Sequence, residues 1–256
     1  MTHLKLAVLS TRVDAMDWQR SVNKLQSLRS KKDGSYIAFC NVHMAVTART
    51  DDELAVALEE ADIVLPDGAP IAWTLRRLGA PHQERISGPD FMWKTLEVTN
   101  ERGLKASFYG GSQSTLAKLT MTIQTHFPNI KIGVAISPPF RSLTLSEQAY
   151  YINQINAAQT DFLFVGLGCP KQEKWMHQHK NSVNATMLGV GAAFDYHAGT
   201  ITRAPKWMQG MGLEWLQRLL SEPKRLWKRY LVTNTLFIWH VAQQLLRRQA
   251  SKFLIK

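Results

Sequence analysis

Six short apolar runs, at residues 36–40, 63–65, 106–109, 131–135, 161–165 and 185–190, alternate with stretches of helical periodicity along this 256-residue chain. No other feature restricts the fold as much. Runs of this length fit strands buried on both faces, and strands that alternate with helices build a mostly parallel sheet, because each parallel crossover returns through a helix. Helices are expected near 51–60, 112–126, 146–157 and 171–179, with Pro170 at a first-turn position marking the start of the last. The expected class is α/β, a mostly parallel sheet flanked by helices.

Such a sheet brings its strand-to-helix loops to one edge, where ligands bind. That edge collects Asn41, Asp67, Gly110 and Gly111, Gly166 and Gly168, and Gly189 and Gly191. Glycines or polar side chains at several strand ends favour a nucleotide or phosphate site. Gly166-Leu-Gly168-Cys-Pro-Lys171 opens a helix whose amides can meet phosphate oxygens. It is a partial dinucleotide fingerprint only, since Lys171 stands where a third glycine belongs and Asp195 is too distant to hold a ribose, which disfavours a hydride-transferring dehydrogenase.

Asp67, at the end of 63–65, has two readings: a carboxylate projecting into the cleft, or an Asp-Gly turn with Gly68. Asp90 is read as a helix cap and Asp195 as closing a turn before His197. His177 and His179, two apart on a helix, do not share a face, so no zinc site is assigned there. A Ser-His-Asp order and a Gly-x-Ser-x-Gly elbow are both missing from the sequence.

The last fifth has a different character. From residue 203 to 256 there are eleven Lys or Arg and only two carboxylates, Glu214 and Glu222, a net +9 out of the +11 of the whole chain. Trp207, Trp215, Trp227 and Trp239 lie in the same stretch. Indoles beside cations suit a water–lipid boundary, although a solvated basic face explains the charge equally well. The longest uncharged run, 230–246, is too short and too polar to span a bilayer. Without a zinc-finger spacing or an RNP-like motif, nucleic acid is not an expected partner. The expected organisation is a core over 1–202 and a helical, membrane-associating appendage over 203–256. Met1–Ser10 has no convincing signal-peptide core, which points to the cytoplasm, and Cys40 and Cys169 are expected to be thiols.

Taken in order, Cys40-Asn41, Leu65-Pro-Asp-Gly68, Arg85 with Ser87-Gly-Pro-Asp90, Phe108-Tyr-Gly-Gly111, Ser137-Pro-Pro-Phe140, Gly166-Leu-Gly-Cys-Pro-Lys-Gln-Glu173, Gly189-Val-Gly191 with Phe194-Asp195, and Arg203-Ala-Pro205 through Gly212-Leu-Glu-Trp215 to Arg218 form a pattern. It resembles the WecG/TagA/CpsF glycosyltransferases from about residue 36 to residue 229. Each motif is weak alone; their ordered set is specific.

The resemblance implies a Rossmann-like core and a peripheral enzyme on the inner face of the cell membrane. Such an enzyme moves a hexosyl group, N-acetylmannosamine or its uronic acid in characterised relatives, from a UDP-sugar to a polyprenyl-diphosphate-linked saccharide with inversion, in surface or exopolysaccharide synthesis. It assigns the base to Asp67, and substrate contacts to Asn41, Arg85, Gly111, Gly168, Gln172 and Gly191. Arg218, Arg225 and Arg229, spaced seven and four apart, are implied over the diphosphates. Pro223 interrupts that row and is expected to start a new helix. Relatives usually carry threonine where Phe39 stands, so a hydroxyl contact is absent or supplied elsewhere. With no Asp-x-Asp in the chain, no metal and no other cofactor is expected. The expected partners are the UDP-sugar donor, the lipid-linked acceptor and an anionic membrane surface, with a homo-oligomer left open. The competing reading is a nonenzymatic nucleotide-sugar-binding or membrane-surface scaffold with the same fold.

Overall fold

The computed structural model describes residues 4–29 and 34–254, with the side chains of Arg225 and of 251–254 outside the description. The elements, in order, are β1 (Lys5–Val8), β2 (Thr11–Asp14), α1 (Trp18–Arg29), β3 (Tyr36–Cys40), α2 (Val42–Thr47), α3 (Asp52–Glu59), β4 (Ile63–Pro66), α4 (Ala69–Leu78), α5 (Gly88–Glu101) and β5 (Lys105–Gly110). They continue with α6 (Gln113–His126), β6 (Lys131–Ile136), α7 (Leu145–Ala157), β7 (Phe162–Gly166), α8 (Lys171–His179), β8 (Thr186–Gly189), α9 (Ala193–His197), α10 (Lys206–Gly210), α11 (Glu214–Ser221) and α12 (Pro223–Leu254).

All six expected strands form, and they make one parallel sheet in the order β4-β3-β8-β7-β5-β6. The strand period of two divides their side chains between two cores. Tyr36, Ala38 and Cys40 of β3 enter one, while Ile37 and Phe39 enter the other. Burial on both faces explains why these strands read as continuous apolar runs.

Helix starts follow local capping chemistry. Asn41, Asp51, Ser87, Ser112 and Thr144 each accept a hydrogen bond from an amide of the first turn, and Thr144 with Glu147 completes a capping box. Pro170 is the N-cap of α8 rather than a first-turn residue, and the peptide bond preceding it is cis. The sheet edge is tight where β5 and β7 end. Gly110 has φ +116°, and a Cβ there would lie 2.6 Å from the Gly166 backbone, so only glycine fits.

The N-terminal hairpin β1–β2 was not anticipated. Its two-residue turn puts Leu9 at φ 58°, where glycine is usual. The Leu9 amide donates to Gln244 Oε1 at 3.1 Å, and Gln244 Nε2 donates to Ala7 O at 2.7 Å. Helix α12 is therefore latched to the hairpin. It also buries Leu226, Phe237 and Val241, with Phe237 and Val241 packed in the same core as Met44 and Ala45 of α2. Among the described residues, no helix is long and apolar enough to cross a membrane.

Candidate active site

A cleft of about 800 Å³ opens at the carboxyl ends of β3, β4, β7 and β8 and is closed on its far side by α11 and α12. It brings together Asn41, Asp67, Arg85, Gly168, Gln172, Gly191, Arg218 and Arg229. Gly111 sits at the end of β5 and does not line this cleft; its carbonyl accepts from Ser137 Oγ at 2.7 Å. Arg225 lies on α12, with its side chain outside the described residues.

Asp67 is fixed by its backbone, its amide donating to Cys40 O at 2.8 Å where β3 and β4 end side by side. Its carboxylate remains 24% exposed, facing the cleft, and Arg85 Nε lies 3.9 Å away. Burial pushes the Asp67 carboxyl up to about 6. Glu214 and Asp90 push the same way, while Arg85 and the Gly88 amide oppose them. The result is a carboxylate more basic than usual and still mostly ionised at neutral pH.

Arg85 does not serve Asp67 alone, since it also pairs closely with Glu214, the first residue of α11. Glu214 is held in turn by Arg203 Nε at 3.1 Å, and Arg203 grips Asp90 with both terminal nitrogens, at 2.6 and 2.8 Å. Burial alone would raise the Asp90 carboxyl, but the bonds from Arg203 and Ser87 hold it below the ordinary range. Asp90 thus does more than cap α5. It anchors an ion-pair chain that runs Asp67, Arg85, Glu214, Arg203, Asp90. The sequence reading missed Glu214 and Arg203 as site residues, although a carboxylate among eleven cations was a visible signal.

On the opposite wall, Arg218 lies with its guanidinium carbon 5.9 Å from the Tyr196 ring centroid, and its Nε is buried without a hydrogen-bond partner. Arg218 and Arg229 come from different helices, because α11 ends at Ser221 and Pro223 starts α12, yet both reach the same chamber. His43 faces them. Burial, with Arg229 nearby, pulls its pKa down to about 4, so the imidazole is neutral and adds no charge.

Gln172 is consumed by the scaffold. Its Oε1 accepts from the Gly168 amide at 3.1 Å, and its Nε2 donates to Gly189 O and to Glu173 Oε1, each at 2.7 Å. One carboxamide therefore ties the β7 and β8 loops together. Asn41 spends its Oδ1 on capping α2, accepting from the Met44 amide at 3.1 Å, which leaves its NH₂ as the group for a ligand. Among the described residues, no cluster of three or more His, Cys, Asp or Glu side chains could hold a metal ion. Both cysteines are free thiols, Cys40 buried and Cys169 half-buried.

The model of the glycosyl transferase WecG/TagA/CpsF family matches residues 6–251. The chain belongs to this family of glycosyltransferases. It is 32% identical over 202 residues to the N-acetylglucosaminyldiphosphoundecaprenol N-acetyl-beta-D-mannosaminyltransferase of Bacillus subtilis (strain 168), covering 78% of this chain and 77% of that protein. The enzyme of the same description from Bacillus spizizenii is 30% identical over 199 residues, covering 77% and 75%. That of Staphylococcus aureus (strain MW2) is 26% identical over 209 residues, covering 81% and 80%.

In this WecG/TagA/CpsF member, Glu173 lies directly beneath the cleft. It is fully buried, and Oε2 has no nitrogen or oxygen partner. Burial pushes its carboxyl up to about 7, against the pull of Gln172. Below pH 4.5 the acid is protonated whether the chain is folded or not, and it costs nothing. Between 4.5 and about 7 the unfolded chain ionises first, so stability is lost as pH rises and then levels off. Glu173→Gln keeps the Oε1 contact without the charge. It should match the wild type near pH 4 and exceed it by about 3 kcal/mol at pH 8, at 1.36 kcal/mol per pKa unit, in urea denaturation across that range. A stability difference that does not vary with pH would show that Glu173 is not held neutral.

Proposed function

We propose that this protein is an inverting glycosyltransferase that moves a hexosyl group, N-acetylmannosamine as the first choice, from a UDP-sugar to a polyprenyl-diphosphate-linked saccharide. The observation that carries the reading is the opposition, across one cleft, of a basic carboxylate at a strand end and two arginines from the tail. Inverting transfer needs both. The acceptor hydroxyl attacks the anomeric carbon from the face opposite UDP and gives its proton to Asp67, while the bond to the β-phosphate oxygen breaks and its electrons leave with UDP. Arg218 and Arg229 meet the charge that gathers on the departing diphosphate. The relatives' names, which specify an N-acetyl-mannosaminyl group and a diphosphoundecaprenol-linked acceptor, support the choice of sugar and lipid.

Residues 203–256 act in this proposal as the unit that closes the site and docks on the inner face of an anionic membrane. Trp207, Trp227 and Trp239 are exposed there beside the basic side chains, and each Lys or Arg near such a surface contributes on the order of 1 kcal/mol. The reaction is proposed to proceed without a metal. The carboxylates nearest the arginine chamber, Asp67 and Glu214, are engaged by Arg85 and Arg203, so cationic side chains carry the neutralisation.

Asp67→Asn should lower kcat by ~10²–10⁴-fold, the usual contribution of a general base, with UDP binding retained in titration calorimetry. Near-normal turnover would remove Asp67 from the role, and absence of turnover in the wild type itself would favour the scaffold reading. Because the base must be ionised, kcat/KM should fall on the acid side through about pH 6. Glu214→Gln removes a charge that raises Asp67 and frees Arg85 to approach it, so this limb should move to lower pH; an unmoved limb would uncouple Glu214 from the base. Exhaustive EDTA treatment should leave turnover intact, whereas complete loss restored by Mn²⁺ or Mg²⁺ would contradict the metal-free mechanism.

A further inference from the structure

The cleft has a second region that the transfer chemistry does not use. Beyond Arg229 it continues along α12, where Ile238, Val241, Ala242 and Leu245 face Val42 of α2 and Trp73 of α4. No charged residue occurs between Arg229 and Arg247. From Arg229 to Leu245 the helix rises about 24 Å, with lining residues recurring every four positions so that one face supplies the wall. Val241 is buried at the floor, but Trp73 is 42% and Ile238 69% exposed at the rims. The cleft is thus charged at one end, passes Thr233 and Asn234, and is apolar along α12 from Phe237 to Leu245.

We propose that this apolar arm seats the first isoprene units of the acceptor's lipid chain, an assignment that rests on the acceptor class given above. A ligand that fits both ends must be an amphiphile with an anionic head and a hydrocarbon tail. The head belongs beside Arg218 and Arg229, whose guanidinium groups, each with several N–H donors, then stand between it and the departing diphosphate of UDP. The chain then covers Trp73 and Ile238, and removing apolar surface from water is favourable in proportion to its area. A chain seated there places the saccharide, on the other side of the diphosphate, toward Asp67. An acyl chain from the bilayer would fill the arm equally well but would bring no diphosphate to the arginines. From Phe237 to Leu245 the apolar wall rises only about 12 Å, too short for a long polyprenol, whose distal units remain in the membrane.

The test uses the full chain and detergent-free prenyl diphosphates of two, three and four isoprene units, read by titration calorimetry. Affinity should rise roughly tenfold with each added unit, well short of full burial because the rims are open. Ala242→Phe fills the arm from an exposed position and should flatten this dependence while leaving the two-unit ligand bound as in the wild type; Ile238→Asp should do the same. An affinity independent of chain length would overturn the assignment, as would a wild-type dependence in both variants. So would prenyl alcohols, or phosphatidylglycerol vesicles, competing as well as the diphosphates. Transfer to a lipid-linked saccharide is assayed separately. A chain-length dependence without transfer would retire the proposed reaction and keep the arm, and transfer without the dependence would do the reverse.

Discussion

The chain of ion pairs from Asp67 through Arg85, Glu214 and Arg203 to Asp90 is the interaction on which the site depends. It is a polar link between the sheet edge and the tail, and its central members are mostly buried, with side-chain exposures near a fifth for Arg85, Glu214 and Arg203. Charges in such a place are costly unless each is paired, and loss of one partner leaves the others uncompensated. Glu214 occupies the middle, where it satisfies two arginines at once. The tail can therefore leave the core only by exposing or stranding several charges. The same carboxylate keeps Arg85 from neutralising Asp67 completely, so tail docking and base strength are set by one residue.

The cleft's border at the ends of β7 and β8 is shaped by close approach rather than by charge. A Cβ at Gly189 would meet Met176 Cε at 2.6 Å, and one at Gly166 would meet the Phe194 ring at 2.6 Å. These glycines let helices α8 and α9 pack against the strand ends, and Gln172 then ties the resulting loops together. The glycine-rich edge thus has two duties. Gly110 and Gly166 serve packing, whereas Gly168 and Gly191, at positive φ, line the cleft with no side chain to fill it, their amides held by Gln172 and Val165.

Much of this was legible in the sequence, for physical reasons. Strands buried on both faces leave unbroken apolar runs, and the six runs predicted match β3 to β8 with boundaries within a residue or so. The hairpin β1–β2 was illegible because its turn carries Leu9 rather than glycine or asparagine, and the contact that holds that turn comes from Gln244, 235 residues away. The ion-pair chain was hidden similarly. Asp90 reads locally as a cap, and only the fold shows that Arg203, 113 residues on, takes its carboxylate. The spacing of Arg218 and Arg229 gave a shared face only for a continuous helix; the new helix expected at Pro223 forms, and what the sequence did not show is that the two arginines converge across that break.

That break shows how one basic tail can face two environments. Had residues 214–254 been a single straight helix, Arg218 and Arg229 would have stood about 16 Å apart along its axis, eleven residues at 1.5 Å each, instead of converging on one chamber. Pro223 lacks the amide that would continue α11, so the chain turns there and α12 starts with a new orientation. Arg218 can then point into the chamber from α11 while α12 turns Arg229 toward the same point and lines the cleft without charge beyond it, through Thr233 and Asn234 and then Phe237 to Leu245. The cations return only at Arg247 and Arg248, beyond the arm. Charge is thus gathered at the head of the cleft and again at the far end of the helix, with uncharged wall between them. The proposed separation of a diphosphate from a hydrocarbon chain rests on this spacing of the cations more than on their number.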